Sequence, residues 1–273
     1  MPLKVALFAE GSGESSPSRR ESGALSRIWG EVLPRALGCA SQIRVFPFSK
    51  RDLVALDRSK PQPTGSIPLD VLIAARLAGP ERLDAVLIAW DLQPPWDPKV
   101  NRCRWQETLD IYRFLGASAA LKGLSGGWRR RAQARHDDLA ARATPGARTL
   151  PHRLARHEIA VVCMEPMFES ILLDEPGIFA ALGLTRRPPL WPKAKEWKAK
   201  GLRMPDQALL KPAIDAALAS KVRARIVDQI GGDLKTRKNE WGAYLLESLL
   251  AEHSTRTRCL SRQLPRRLTE VLP

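Results

Sequence analysis

The sequence predicts an α/β fold, a mostly parallel sheet flanked by helices, followed by a basic and mainly helical C-terminal region. Three observations carry that expectation. Short apolar runs in LKVALFA, AVLIAW and EIAVVCM read as strands buried on both faces, the pattern of parallel sheets. Stretches with helical spacing lie between them, so strand and helix alternate along the chain. After Leu184 the alternation stops, and Pro, Lys and Trp crowd TRRPPLWPKAKEWKAKGLRMP, which reads as a linker or exposed loop. The expected division is an α/β domain over residues 1–180 and a basic region over 181–273.

Taken in order, residues 3–9 make the first strand, which runs into Glu10. A helix is expected from Glu21 to Leu37, with Leu25, Ile28, Trp29, Val32 and Leu33 on one buried face and Gly38 at its C-terminal cap. Gln42 to Phe48 is a weaker strand. Pro47 has no N–H to give a ladder, which assigns that strand to an edge. A second helix runs from about Pro68 to Leu77, and Gly79-Pro80 stops it. Leu83 to Trp90 is the next strand, closing on Asp91 and a Pro-Pro turn. Trp105–Leu115 and Ser125–Ala143 read as helices, the latter basic at its start. Residues 158–164 form a third buried-type strand that meets Glu165, and PMFESILL continues as a helix with Pro166 in its first turn. Helical spacing returns at 207–218, 220–230 and 238–252.

A chain of 273 residues can bury about 70–75% of its unfolded surface, so it needs neither disulfides nor a structural metal to fold. Cys39, Cys103, Cys163 and Cys259 are far apart and show no CxxC pairing, which suggests neither a zinc ribbon nor a disulfide framework and reads as buried, reduced thiols. No apolar run approaches the roughly 20 residues of a membrane span, and no leader pattern precedes the first strand. The expectation is a cytoplasmic protein without membrane contact. Charge says more: 44 Lys and Arg stand against 29 Asp and Glu, a formal net of +15. The stretch 181–273 alone holds 19 basic and 9 acidic residues. Such a balance favours polyanionic partners, nucleic acid above all, because each neutralised phosphate releases condensed counterions. Arg129, Arg130 and Arg131 beside Trp128, and Lys193, Lys195, Lys198 and Lys200 among Trp191 and Trp197, interleave aromatics with cations as backbone contact and base stacking require.

Three buried-type strands end on carboxylates: Glu10, Asp91 and Glu165. An open parallel sheet binds its ligands outside the carboxyl ends of its strands. Acids gathered there repel one another unless a cation sits among them. Hard divalent ions take such oxygens and keep places for water and phosphate. The rival reading of GSGESS is a turn that cradles phosphate on backbone amides. That stretch matches neither GxxxxGK[ST] nor GxGxxG. His136-Asp137-Asp138 lacks a second histidine at helical spacing and reads as an exposed helix face rather than a metal site.

FAEGSGE at one strand end and AVLIAWD at a later one resemble the Toprim family of topoisomerases, primases and OLD-type nucleases. CMEPMFESILLDEPG resembles a strand-to-helix segment of uncharacterised bacterial Toprim-like proteins. The likeness covers roughly residues 3–180. It implies Glu10 as general acid or base, Glu14 as the second glutamate of EGxxE, and Asp91 as the first aspartate of a metal-binding DxD. Gln93 stands where the second aspartate would be. Glu165 and Glu169, four residues apart, are the acids that could compensate. The implied cofactor is Mg2+ or Mn2+, and the implied activity is a nuclease in phage defence. A partner subunit, an ATPase or another defence component, is also implied, and a homo-oligomer is compatible. Two other readings remain: a Toprim-like nucleic-acid-binding or assembly subunit without the chemistry, and, more distantly, a small-molecule phosphotransferase.

Overall fold

The structure is a computed structural model, and it describes residues 2–10, 30–31, 41–91, 104–142, 154–164, 230, 241 and 244–245. The expected linker, the helix after Pro166 and most of the helices at 21–37 and beyond 207 lie outside those residues. Residues 230, 241, 244 and 245 are helical.

Four described strands form one parallel sheet: β1 (Lys4–Glu10), β2 (Gln42–Phe48), β3 (Ala85–Asp91) and β4 (Ile159–Met164), in the order β2-β1-β3-β4. The α/β class is therefore as the alternation predicted. β1 and β3 are buried along nearly their whole length because each has a strand on both sides and packed side chains on both faces. β2 lies at an edge of the described sheet, where Pro47 forfeits nothing by lacking an N–H.

Five described helices follow the strands: α1 (Lys50–Val54), α2 (Leu69–Leu77), α3 (Arg104–Ala117), α4 (Ala119–Lys122) and α5 (Trp128–Ala140). They cover one face of the sheet. Ala6 and Phe8, Phe46 and Phe48, Val86, Ile88 and Trp90, and Val161 on that face pack with Leu53, Leu69, Ile73, Ile111, Leu115, Trp128 and Leu139 of the helices. Phe8 and Phe46 sit with ring centroids 5.3 Å apart across β1 and β2. Truncating Phe8 to alanine would cost about 3–5 kcal/mol from lost burial and the cavity left behind. The opposite face carries Val5, Leu7, Ala9, Leu87 and Val162, all buried, and Gly30 approaches it at Val45.

Polar ties hold the helices in register with the sheet. Asp70 of α2 accepts from Arg58 at 2.8 Å and from the Ser118 hydroxyl at 2.7 Å, joining the chain after α1 to the start of α4. Tyr112 of α3 is fully buried, and its hydroxyl oxygen accepts the Val161 N–H of β4 at 3.0 Å. Burial pushes that hydroxyl's pKa up to about 12. Among the described residues no helix is long and apolar enough to cross a membrane.

Candidate functional site at the carboxyl edge of the sheet

From β1 the chain passes to β2 on one side, then returns to place β3 on the other. That reversal makes the crevice between β1 and β3 the topological switch point, where open parallel sheets take their ligands. Glu10 is the last residue of β1 and Asp91 the last of β3, so the two predicted acids flank this crevice. They also touch: the Asp91 N–H donates to Glu10 Oε2 at 3.0 Å.

A third group completes the arrangement, and sequence reasoning missed it. Lys50, the first residue of α1, donates its ammonium to Glu10 Oε2 at 3.3 Å and to the Asp91 carbonyl oxygen at 2.6 Å. The same Nζ stands 5.6 Å from the centroid of the Trp90 ring, within reach of a cation–π attraction. The Lys50 and Glu10 side chains are only 20% and 11% exposed, so their attraction is screened far less than that of a surface pair. One cation thus ties together the ends of β1 and β3 from the start of the helix that follows β2.

Local sequence explains why Lys50 stands there. Ser49 caps α1 in a reciprocal box: its N–H and hydroxyl both donate to Asp52 Oδ2 at 2.8 Å, and the Asp52 N–H returns to the Ser49 hydroxyl at 3.4 Å. Asp52, itself buried, accepts the Ile67 N–H with its other oxygen at 2.9 Å. The box ends β2 and fixes the backbone on either side of Lys50. The signal was in the sequence, since Ser49-x-x-Asp52 directly after a strand is an N-terminal helix signature.

The remaining predicted residues divide in two. Glu14, Gln93, Glu165, Glu169, Lys193, Lys195, Lys198 and Lys200 lie outside the described residues, as do Cys39, Cys103 and Cys259. Arg129, Arg130 and Arg131 occupy the first turn of α5, and their place is the opposite end of the sheet. Trp128 beside them packs edge-on to His157 with ring centroids 5.3 Å apart, and the His157 N–H donates to the Asp84 carbonyl just before β3 begins. A seven-residue strand rises roughly 20 Å, so the two edges of the sheet stand well apart. His136 and Asp137 pair at 3.0 Å on the outer side of α5. The His136 hydrogen bond, with one from Gln133, holds the Asp137 carboxyl below its ordinary pKa. Cys163 is buried in β4.

Among the described residues no group of three or more His, Cys, Asp and Glu is placed to hold a metal ion. Glu10 and Asp91 nevertheless supply two hard oxygen donors from adjacent strand ends, the chemistry Mg2+ and Mn2+ prefer. The Lys50 ammonium seated on Glu10 shows that positive charge is accommodated between those ends. Two carboxylates are as many as Mg2+ commonly takes from a protein, its other places going to water and substrate phosphate. No protein-family model, curated protein or solved structure matches the chain.

Proposed function

We propose that this protein is a Toprim-like, Mg2+- or Mn2+-dependent nuclease that hydrolyses phosphodiester bonds of DNA or RNA, acting in bacterial phage defence with a partner subunit. The observation that carries the reading is Glu10 and Asp91 side by side at the switch point, joined through the Asp91 N–H at 3.0 Å. Glu10, with its carboxylate held by two donors, is the group to move a proton as general acid or base, assisted by Glu14. Asp91, Glu165 and Glu169 are the ligand acids, with Gln93 as a neutral auxiliary oxygen. A bound divalent ion would neutralise charge on the phosphodiester and lower the pKa of an attacking water. Lys193, Lys195, Lys198 and Lys200 in the basic region would hold the nucleic-acid backbone without reading its sequence. That region would dock the ATPase or other defence subunit.

A second reading has its own observation. Lys50 already satisfies Glu10 at the place a metal would neutralise, and Gln93 lacks the charge of a DxD aspartate. Both features also suit a nucleic-acid-binding or assembly subunit that keeps the fold without the chemistry.

The test is cleavage of plasmid DNA and total RNA in Mn2+, Mg2+ or EDTA, with wild type beside Glu10→Gln and Asp91→Asn. Metal-dependent cutting that disappears in both variants supports the nuclease. Tight nucleic-acid binding with no cutting, unchanged by either substitution, selects the assembly subunit.

A further inference from the structure

Three contacts converge on one ammonium. Lys50 Nζ lies 2.6 Å from the Asp91 carbonyl oxygen, 3.3 Å from Glu10 Oε2 and 5.6 Å from the Trp90 ring centroid. A flexible lysine gives up much of its rotamer freedom to be held this way. Half-burial beside a carboxylate, a carbonyl and an aromatic face is an environment built for a cation. A divalent ion entering between Glu10 and Asp91 would meet the same carboxylate oxygen that Lys50 now occupies.

We propose that Lys50 is the resident cation of the switch point, and that its ammonium and a divalent metal compete for Glu10. The inference rests on the metal reading given above and adds a residue that reading does not contain. With no metal bound, Lys50 neutralises Glu10 and clamps the ends of β1 and β3. With Glu10 and Asp91 holding a divalent ion, the Lys50 ammonium would be released from Oε2 toward solvent. Lys50 is thus a positioning residue that sets how readily the site loads.

The experiment is Mn2+ binding to the full-length protein, read from the electron paramagnetic resonance signal of free Mn2+. Wild type is compared with Lys50→Met, Lys50→Arg, Glu10→Gln and the Lys50→Met/Glu10→Gln double variant. Removing the ammonium that competes for Glu10 Oε2 predicts about tenfold tighter Mn2+ binding in Lys50→Met. Lys50→Arg should match wild type, and the gain should vanish in the Glu10→Gln background. Unchanged or weaker binding in Lys50→Met overturns the competition and leaves Lys50 as a clamp alone. Should Lys50→Met fail to fold, wild type decides: reductive methylation of Lys50, read by peptide mass spectrometry, should rise severalfold when Mn2+ replaces EDTA. Labelling that is unchanged or slowed by Mn2+ overturns the proposal. If neither wild type nor Lys50→Met binds Mn2+, the nuclease reading falls together with this one. If wild type binds and cuts but the Lys50 variants bind alike, only this one falls.

Discussion

β3 carries an aspartate at each end, and the two are used in opposite ways. Asp84, just before the strand, turns its carboxylate onto the main chain: it accepts the Lys4 N–H at 2.9 Å and pairs with an exposed Arg156 at 3.1 Å. Its own N–H and carbonyl close the ladder to Lys4 and His157 at 2.7 and 2.6 Å. At the amino edge a charged side chain serves the backbone. At the carboxyl edge the relation is reversed, because the N–H and carbonyl of Asp91 hold the charged side chains of Glu10 and Lys50. The same residue type is structural at one end of a strand and part of a candidate site at the other. Position in a parallel sheet decides, since crossovers open a crevice only at the carboxyl edge of the switch point.

The comparison breaks most visibly in activity. Glu10→Gln should cut at least about 100-fold more slowly than wild type, the usual scale of a lost general acid or base. Asp84→Asn should retain cutting and lose about 1 kcal/mol of stability in a urea melt. Equal loss of cutting in both would mean that the two ends are not functionally distinct.

The interior between the ends gives the next effect. Tyr112 keeps its proton to about pH 12 when folded, whereas an unfolded tyrosine ionises near pH 10. The folded state therefore binds more protons between those values. Its stabilising contribution is complete below about pH 10 and falls as pH rises toward 12, by about 3 kcal/mol in total. Urea melts from pH 7 to 11 should show this slope in wild type and not in Tyr112→Phe. The variant should also lose about 1–3 kcal/mol at neutral pH, because the buried Val161 N–H loses its acceptor.

Packing at the amino edge is tested by Gly126→Ala. Gly126 has φ +97°, and a Cβ there would fall 2.9 Å from the His157 ring. The left-handed backbone and the collision together predict a loss of about 1–3 kcal/mol. Mn2+ affinity at the far edge should not move.

Strands and their terminal acids were legible because burial on both faces writes itself as an apolar run, and a run that stops on a carboxylate is visible. Gln42–Phe48 and the helix to Leu77 match the expected spans within a residue. α1 was not expected, since five residues are too few to show a helical period; only its capping box betrays it. Lys50 was missed for a second reason. Periodicity says which face a residue takes but not which strands are neighbours, and Lys50 meets Glu10 only because β2 pairs with β1. The arginine turn was legible as basic but its edge was not assigned. Trp128 packs on His157, whose N–H meets the Asp84 carbonyl just before β3, and that contact places the turn at the amino edge.

The smallest expected effect concerns that turn. Arg130 and Arg131 are exposed, and Arg131 lines a shallow cleft of about 320 Å³ with Arg135, Asp138 and Glu158. If nucleic acid reaches from the carboxyl edge to this turn, each arginine on a phosphate adds about one unit to the slope of log affinity against log salt. Arg130→Ala with Arg131→Ala should then flatten the slope by up to about 2 for a fluorescent 30-mer and leave cutting at saturating substrate unchanged. An unaltered slope would confine the grip to the carboxyl edge and the basic region over 181–273, and would make the arginine turn a solvated helix start. The two acids of β3 would then mark a functional end and a purely structural end of one strand.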